Sequence, residues 1–245
     1  MSNHVLRVAS VSRSYGKRQT VVHALNDVSL DVARGSFIAV MGPSGSGKST
    51  LLRCASGLDR PTSGSVLLDG IDLTPLSETE LTELRRTRVG FVFQEYNLLP
   101  ALTVEQNIAL PRRLAGRKPR RDEITRVLSW VSLEKLRGRR PSELSGGQQQ
   151  RTAIARALIS EPEIVFADEP TGALDSRTSH DVLRLLRWMV DEHRRSIVMV
   201  THDPVAAAFS DRVLFLADGR LVDVLELPTA EQAAERIARL ESQGV

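Results

Sequence analysis

Residues 42–50 read Gly42-Pro43-Ser44-Gly45-Ser46-Gly47-Lys48-Ser49-Thr50, a glycine-rich turn that ends in Gly-Lys-Ser. This pattern is typical of loops that bind the phosphates of a nucleoside triphosphate. The apolar run 37–41 before it predicts a buried strand, and residues 51–55 after it predict a helix. A chance surface turn would not need this strand, loop and helix order, so we expect a nucleotide site here.

The residue types of this loop suit phosphate chemistry. Its glycines allow a tight turn that directs backbone N–H groups at phosphate oxygens, and the helix N-terminus adds a positive dipole end. Lys48 is predicted to reach the β- and γ-phosphates, and the Ser49 hydroxyl is predicted to ligate Mg²⁺.

Composition sets limits on partners and on cellular location. The 245 residues are 41% hydrophobic with a net charge of +3, which suits one globular domain. Arginines are spread along the whole chain, so we expect no nucleic-acid partner. The densest basic stretch, 112–126, is interrupted by Asp122 and Glu123 and predicts a solvated helical face, with an anionic membrane surface as the alternative.

Two absences favour a soluble protein in a reducing compartment. The one cysteine, Cys54, has no internal disulfide partner and is expected to be a small buried hydrophobe. No run approaches the roughly 18 apolar residues of a membrane span, and residues 1–4 lack the basic start of a signal peptide. Any membrane contact would then need a partner.

Apolar and polar periodicity predicts alternating strands and helices. Strands are predicted at 5–15, 20–34, 37–41, 66–68, 89–93, 164–167, 196–200 and 213–216, with a polar turn at 16–19. Helices are predicted from Ser77, from Thr103, over 122–131, 146–159 and 176–193, and from Thr229. Pro111 and Pro119 punctuate a mostly helical insert, 95–159. This order favours a parallel sheet covered on both faces.

Polar side chains follow several of these strands. Asp168 and Glu169 end an apolar strand, and the carboxyl ends of parallel strands form the ligand edge of such a sheet. We expect Asp168 to hold Mg²⁺ and Glu169 to accept a proton from water or orient it, the alternative being a carboxylate pair entering the turn at Pro170. Gln94 follows another strand and could orient water or touch the metal, although a glutamine there is more often a loop residue. His202 ends a third strand and could donate to the γ-phosphate; a lone histidine is more often structural, but as part of this set we expect a functional role.

Two further features lie outside this edge. Tyr15 ends the first strand and is either a half-buried aromatic or a stacking platform for a base. The stretch Leu144-Ser145-Gly146-Gly147-Gln148 combines a serine N-cap, two glycines and a helix start, which makes a second anion site. Because one nucleotide already has a phosphate loop, a second makes sense if it serves the nucleotide of another copy.

Together these residues resemble the ATP-binding subunit of an ABC transporter over nearly the whole chain. The matching positions are Tyr15 for base stacking, 42–50 for the P-loop, Gln94 for the Q-loop, 144–148 for the signature, 164–169 for the second nucleotide motif, Ala173-Leu174-Asp175 for the D-loop and His202 for the switch histidine.

The resemblance implies a fold and a mechanism. It implies an α/β fold with a P-loop NTPase core of mostly parallel strands (36–94 and 160–225), an N-terminal antiparallel β subdomain (1–35 and about 60–75), a helical signature subdomain (95–159) and a C-terminal helix (226–245). It implies that ATP and Mg²⁺ are the cofactors, that Gln94 joins Ser49 and Asp168 at the metal, and that an ATP-state homodimer sandwiches two nucleotides head to tail. It further implies a separate integral membrane permease and a peripheral position on the cytoplasmic face of a bacterial membrane.

Four short stretches outside or overlapping these motifs point to one subgroup of the family. Residues 57–64, 90–94, 97–100 and 168–172 resemble the subgroup of the macrolide exporter, the lipoprotein-release ATPase and the cell-division ATPase, whose partners cross the membrane few times. A regulatory or mechanical ATPase without a permease is the alternative. Chromosome-maintenance relatives carry a long coiled coil and translation relatives carry two cassettes, and neither feature is present in this sequence.

Overall fold

The computed structural model describes residues 3–16 and 20–242, and the predicted turn at 16–19 falls mainly on residues outside those ranges. The strands are β1 His4–Tyr15, β2 Val22–Ala33, β3 Phe37–Met41, β4 Ser63–Leu68, β5 Ile71–Asp72, β6 Val89–Phe93, β7 Ile164–Asp168, β8 Ser196–Val200, β9 Arg212–Ala217 and β10 Arg220–Glu226. The helices are α1 Lys48–Ala55, α2 Glu78–Arg88, α3 Val104–Leu114, α4 Arg121–Trp130, α5 Gly146–Leu158, α6 Ser176–Asp191, α7 Pro204–Ala207 and α8 Ala230–Ser242.

The larger sheet has the order β10-β9-β3-β8-β7-β6, and all of its pairings are parallel except that of β10 with β9. All five residues of β3 are buried, because side chains pack against both faces of this strand. The predicted α/β class with a mostly parallel sheet is therefore confirmed.

The edge strand β10 was not predicted. Its side chains alternate between exposed and half-buried positions, and Asp223 interrupts its apolar residues. The strand therefore lacks the continuous apolar run that marks the central strands. The chain reverses into it at Asp218 and Gly219, both of which have positive φ.

The smaller sheet is antiparallel, with the order β2-β1-β4-β5. It packs on one face of the larger sheet, where Val8 and Val28 share a buried cluster with Ile38 and Val40 of β3. Helices α3 to α6 contribute to the cluster on the opposite face, which contains Phe37. The larger sheet therefore lies between the smaller sheet and these helices, and this packing on both faces holds the end of β3 and the loop after it in place.

Side-chain caps begin several helices as their sequences predict. Ser77, Thr103 and Ser145 each form a capping box with the residue three positions later. Pro111, which was expected to punctuate the helical insert, lies inside α3, and the helix continues to Leu114. Only the hydrogen bond of its missing N–H is lost there, and its own carbonyl accepts from Ala115 N at 3.0 Å.

Two smaller expectations concern single side chains. Cys54 is 1% exposed and packs in the cluster beneath the smaller sheet, as a buried hydrophobe would. The C-terminal helix α8 packs on the core through the fully buried Ala233, with Ile237 and Leu240 partly buried beside it.

Candidate nucleotide-binding and hydrolysis site

The loop after β3 is held by close backbone packing. Gly47 adopts φ 101°, and a Cβ at this position would overlap the carbonyl oxygen of Ala24. A Cβ on Gly42 would overlap the carbonyl oxygen of Leu216 in the same way. Gly219 N donates to Ser46 O at 3.0 Å. Only glycine therefore fits at 42 and 47, and the loop is tied to both sheets.

Lys48 lies folded over this loop. Its Nζ donates to Gly42 O at 2.8 Å and to Pro43 O at 2.7 Å. Burial lowers the pKa of Lys48, while the negative charges of Glu169 and Asp168 oppose that shift. The lysine therefore shares one electrostatic environment with the two carboxylates that end β7.

The strand register explains how the loop and the carboxylates meet. Asp168 pairs with Phe93 of β6 on one side and with Val200 of β8 on the other. Val200 in turn pairs with Val40 of β3, immediately before the loop. The residues that follow β3, β6, β7 and β8 therefore converge at one edge of the sheet, as the sequence predicted.

Asp168 is partly buried at this edge. Burial raises its pKa, the neighbouring Glu169 raises it further, and Lys48 acts in the opposite direction. Such a carboxylate gains stability from a nearby cation, since a positive charge favours its ionised form.

Glu169 and His202 form a pair beside it. His202 Nδ1 lies 3.0 Å from Glu169 Oε1. Glu169 has φ 45°, an uncommon conformation for a non-glycine residue, and its N–H donates to Val200 O at 2.9 Å. The backbone thus turns the carboxylate out of the strand and toward the histidine.

Gln94 joins the same edge from β6. Its side chain lies over Gly172, where an added Cβ would be 2.8 Å from Gln94 Nε2. Gly172 N donates to Glu169 O at 3.1 Å. The predicted Gln94, Asp168, Glu169 and His202 are therefore close to the loop of Lys48.

Tyr15 lies apart from this edge, at the end of β1 in the smaller sheet. Its side chain is 39% exposed, and its hydroxyl donates to Asp59 Oδ2 at 2.6 Å. Asp59 lies in the turn after α1, the helix that begins at Lys48.

The signature stretch is separate from the loop of Lys48. Ser145 caps α5 by accepting from Gln148 N, and the Gln148 side chain accepts from Ser145 N at 3.0 Å. Among residues 3–16 and 20–242, no hydrogen bond or ion pair joins 144–148 to 42–50. Within the described part of one chain, the two predicted anion sites, 42–50 and 144–148, are therefore not linked by a hydrogen bond or ion pair.

The signature glycines lie against residues that the sequence did not single out. An added Cβ on Gly146 would be 2.9 Å from the Tyr96 hydroxyl and 3.3 Å from Leu174 Cδ2. One on Gly147 would overlap the Thr178 methyl group, and Thr178 N donates to Asp175 Oδ1 at 3.0 Å. The signature, the D-loop and the segment after Gln94 thus meet at the start of α5.

Arg156 was also missed. It lies on α5 and donates to the carbonyl oxygens of Tyr96, at 2.9 Å, and of Asn97. Both acceptor residues have positive φ. An arginine in a partly apolar helix signals nothing by itself, and its two acceptors are backbone carbonyls of a turn whose contact with α5 the local sequence does not reveal.

The side chains of this site suit Mg²⁺ and phosphate. Within the described part of the chain, no three His, Cys, Asp or Glu side chains cluster as a metal cage. Mg²⁺ commonly takes only one or two protein carboxylates and completes its shell with phosphates and water, so Ser49 and Asp168 fit it. The buried Ser46 hydroxyl makes no hydrogen bond to the rest of the described chain. It is therefore available to donate a hydrogen bond to a phosphate oxygen.

Known proteins with similar sequences show the family to which this chain belongs. The ABC transporter family profile matches residues 25–172. The Bacitracin export ATP-binding protein BceA of Halalkalibacterium halodurans is 43% identical over 219 residues, which are 89% of this chain and 87% of BceA. The Macrolide export ATP-binding/permease protein MacB of Marinobacter nauticus is 41% identical over 96% of this chain, which spans 38% of MacB.

A solved structure shows the same fold. The ATP-binding cassette MJ0796 of Methanocaldococcus jannaschii, determined as a dimer in a post-hydrolysis state with ADP and Pi, superposes with a TM-score of 0.82 at 40% identity, covering 91% of this chain and 98% of that one. No helix in the described ranges is long and apolar enough to cross a bilayer. The chain belongs to the ABC transporter family and is one of its ATPases.

Proposed function

We propose that two copies of this chain bind two Mg-ATP head to tail and hydrolyse them to drive a separate membrane partner. One observation supports this most strongly. Lys48, Asp168, Glu169 and His202 share one sheet edge, while no hydrogen bond or ion pair joins Ser145 to that edge within the part of the chain that the structure describes. A second copy would supply the missing anion site, and the comparison cassette MJ0796 is dimeric.

In this proposal the first copy binds the nucleotide. Tyr15 stacks on the adenine base. The phosphates are held by Gly42, Pro43, Ser44, Gly45, Ser46, Gly47, Lys48, Ser49 and Thr50. Lys48 exchanges its carbonyl partners at Gly42 and Pro43 for phosphate oxygens.

Mg²⁺ would be held by Ser49, Asp168 and Gln94 together with phosphate oxygens. When bound, it neutralises the charge that develops on the transferred phosphoryl group. Asp168 contributes an ionised carboxylate in a site where burial alone would favour its neutral form.

Glu169 is the proposed base. Its carboxylate accepts a proton from, or orients, the attacking water, and His202 at 3.0 Å holds the carboxylate in place. His202 can also donate to the γ-phosphate through its other ring nitrogen. Gln94, which lies over Gly172, orients the water or the metal from the neighbouring strand.

The second copy would complete the site. Its Leu144, Ser145, Gly146, Gly147 and Gln148 would bring a capped helix N-terminus to the γ-phosphate. Asp175, which caps α6 beside Gly147, would lie at the same interface. The helical part, 95–159, would carry this surface as a subdomain on the nucleotide-binding core (36–94 and 160–225), with the antiparallel part (1–35 and about 60–75) beside the base.

We further propose an integral membrane permease as partner and a peripheral position on the cytoplasmic face of a bacterial cell membrane. The names of BceA and MacB, both export proteins, support this reading. The sequence likeness to macrolide exporters favours a partner that crosses the membrane few times. A regulatory or mechanical ATPase without a permease is the second candidate.

The test is capture from detergent-solubilised host membranes with tagged Glu169→Gln protein and Mg-ATP. Matched bait that also carries Ser145→Asp serves as control, because it retains the first nucleotide loop but is expected not to close. Recovery of an integral membrane protein by the first bait only supports the proposal. Recovery of soluble partners alone, with the bait dimeric and ATP-loaded, would favour the regulatory ATPase.

A further inference from the structure

The stacking residue Tyr15 is fixed by two side chains, Arg13 and Asp59, neither of which was predicted from the sequence to have a role in the nucleotide site. Its hydroxyl donates to Asp59 Oδ2 at 2.6 Å. Asp59 Oδ1 accepts from Arg13 Nη2 at 2.9 Å, and the Arg13 guanidinium lies 4.5 Å from the centre of the Tyr15 ring. Tyr15, Arg13 and Asp59 thus form a closed triangle of contacts, here called the tyrosine clamp.

The clamp is well shielded and fully paired at Asp59. The side chains of Arg13 and Asp59 are 24% and 16% exposed. The Asp59 carboxylate accepts a third hydrogen bond, from Arg60 N at 2.8 Å. A carboxylate with three donors is strongly oriented, because charge-assisted hydrogen bonds are stronger than neutral ones.

The clamp links the base platform to the phosphate loop. Asp59 N donates to Arg53 O at 3.0 Å, so the carboxylate is anchored to the end of α1, the helix that begins at Lys48. Beside it, Ser14 N donates to Thr62 Oγ1 at 3.1 Å. The end of β1 and the end of α1 are therefore held at a fixed separation.

The clamp also leaves only one face of the Tyr15 ring available for stacking with a base. Arg13 covers one face, so a base can stack only on the other. We propose that Arg13 and Asp59 are positioning residues that orient Tyr15 for the base and set its distance from the phosphate loop. This inference rests on the proposed stacking role of Tyr15.

The test compares ADP with pyrophosphate, which share the phosphate loop but not the base. Titration calorimetry with Mg²⁺ measures both affinities for the full chain and for Tyr15→Phe and Asp59→Asn. Loss of the stabilisation that one typical hydrogen bond gives predicts a fall in ADP affinity of about three- to tenfold. Pyrophosphate affinity should stay within about twofold of the unmodified chain, since its site is unchanged.

Asp31→Asn is the matched control, because Asp31 forms a salt bridge with Arg7 in the same sheet. It should change neither affinity. Equal loss of ADP and pyrophosphate affinity in the clamp variants would overturn the inference, as would no loss at all.

Tyr15→Ala separates this inference from the function it rests on. If Tyr15→Ala leaves the ratio of ADP to pyrophosphate affinity unchanged, the stacking role itself is wrong. If Tyr15→Ala lowers that ratio while Tyr15→Phe and Asp59→Asn do not, stacking holds and the clamp has no positioning role.

Discussion

His202 Nδ1 lies 3.0 Å from Glu169 Oε1, although the two residues follow different strands, β8 and β7, and are 33 positions apart. The contact exists because β7 and β8 are neighbours in register and because Glu169 leaves its strand at φ 45°. Uncommon backbone conformations of this kind are concentrated at functional sites. The pair therefore gives a physical basis for assigning the base and the residue that holds it.

Glu169→Gln should lower ATP turnover by about a hundredfold or more, because a neutral amide cannot accept the proton of the attacking water. ATP affinity should be retained, since Lys48 and its loop are unchanged. Turnover and nucleotide titration on the same preparation measure both quantities. Turnover above about a tenth of that of the unmodified chain would remove Glu169 from this role.

Ser145 has two separable roles. It caps helix α5, and it is proposed to contact the γ-phosphate of the nucleotide bound by the other copy. Ser145→Ala loses both, so we expect a fall in stability of about 1 kcal/mol together with lost turnover. Ser145→Asp keeps a cap acceptor but adds negative charge, so it should unfold like the unmodified chain and still not turn over.

Both Ser145 variants should bind nucleotide as monomers with unchanged affinity, because no hydrogen bond or ion pair in the described ranges joins Ser145 to 42–50. Denaturant unfolding, turnover and nucleotide titration test this set. Reduced nucleotide affinity in the monomeric state would contradict a site shared between two copies.

Gly147 is required by packing within the chain as well as by its proposed contact with the partner. An added methyl group would overlap the Thr178 methyl, so Gly147→Ala should be destabilised by about 1–3 kcal/mol. Thr178→Ser removes the opposing methyl and keeps the backbone N–H that donates to Asp175. The double variant should recover most of that stability, as a thermodynamic cycle of the four proteins would show; additive losses would refute the contact.

Cys54 predicts a pH dependence of stability. Burial raises the pKa of its thiol to about 11 from 9.0. Since the unfolded thiol ionises first, the stability that the buried neutral thiol provides is complete below pH 9 and is lost as the pH rises toward 11. Cys54→Ala should therefore show a weaker loss of stability across that window than the unmodified chain.

The same burial should protect Cys54 from alkylation. At pH 8 a thiol of pKa about 11 is ionised in about one molecule in a thousand. Iodoacetamide should label the native chain at least about a hundredfold more slowly than the chain in urea. Similar rates in the two states would show that the thiol is accessible.

Local patterns in the sequence predict the central strands and the residues after them. Residues 37–50 are readable because a continuous apolar run, a glycine-rich turn and a helix each leave a clear signal. Glu169 and His202 were predicted at one edge because parallel strands expose their carboxyl ends together. Their direct contact depends on the left-handed turn at Glu169, which its residue type does not reveal.

The missed residues are those whose function depends on tertiary neighbours. Asp59 contacts Tyr15 across 44 positions, and nothing local to either residue indicates that contact. Thr178 and Tyr96 are ordinary helix and loop residues until α5 packs its glycines against them. The strand β10 was missed because an exposed edge needs no continuous apolar run.

The central claim is that ATP joins two copies through Ser145 of each. Analytical ultracentrifugation of Glu169→Gln protein, with and without Mg-ATP, tests it most directly, with the Glu169→Gln, Ser145→Asp double variant as control. The account predicts a dimer with Mg-ATP, a monomer without it, and an ATP-bound monomer for the double variant. An ATP-loaded Glu169→Gln protein that stays monomeric, or a dimer that Ser145→Asp leaves intact, would contradict it.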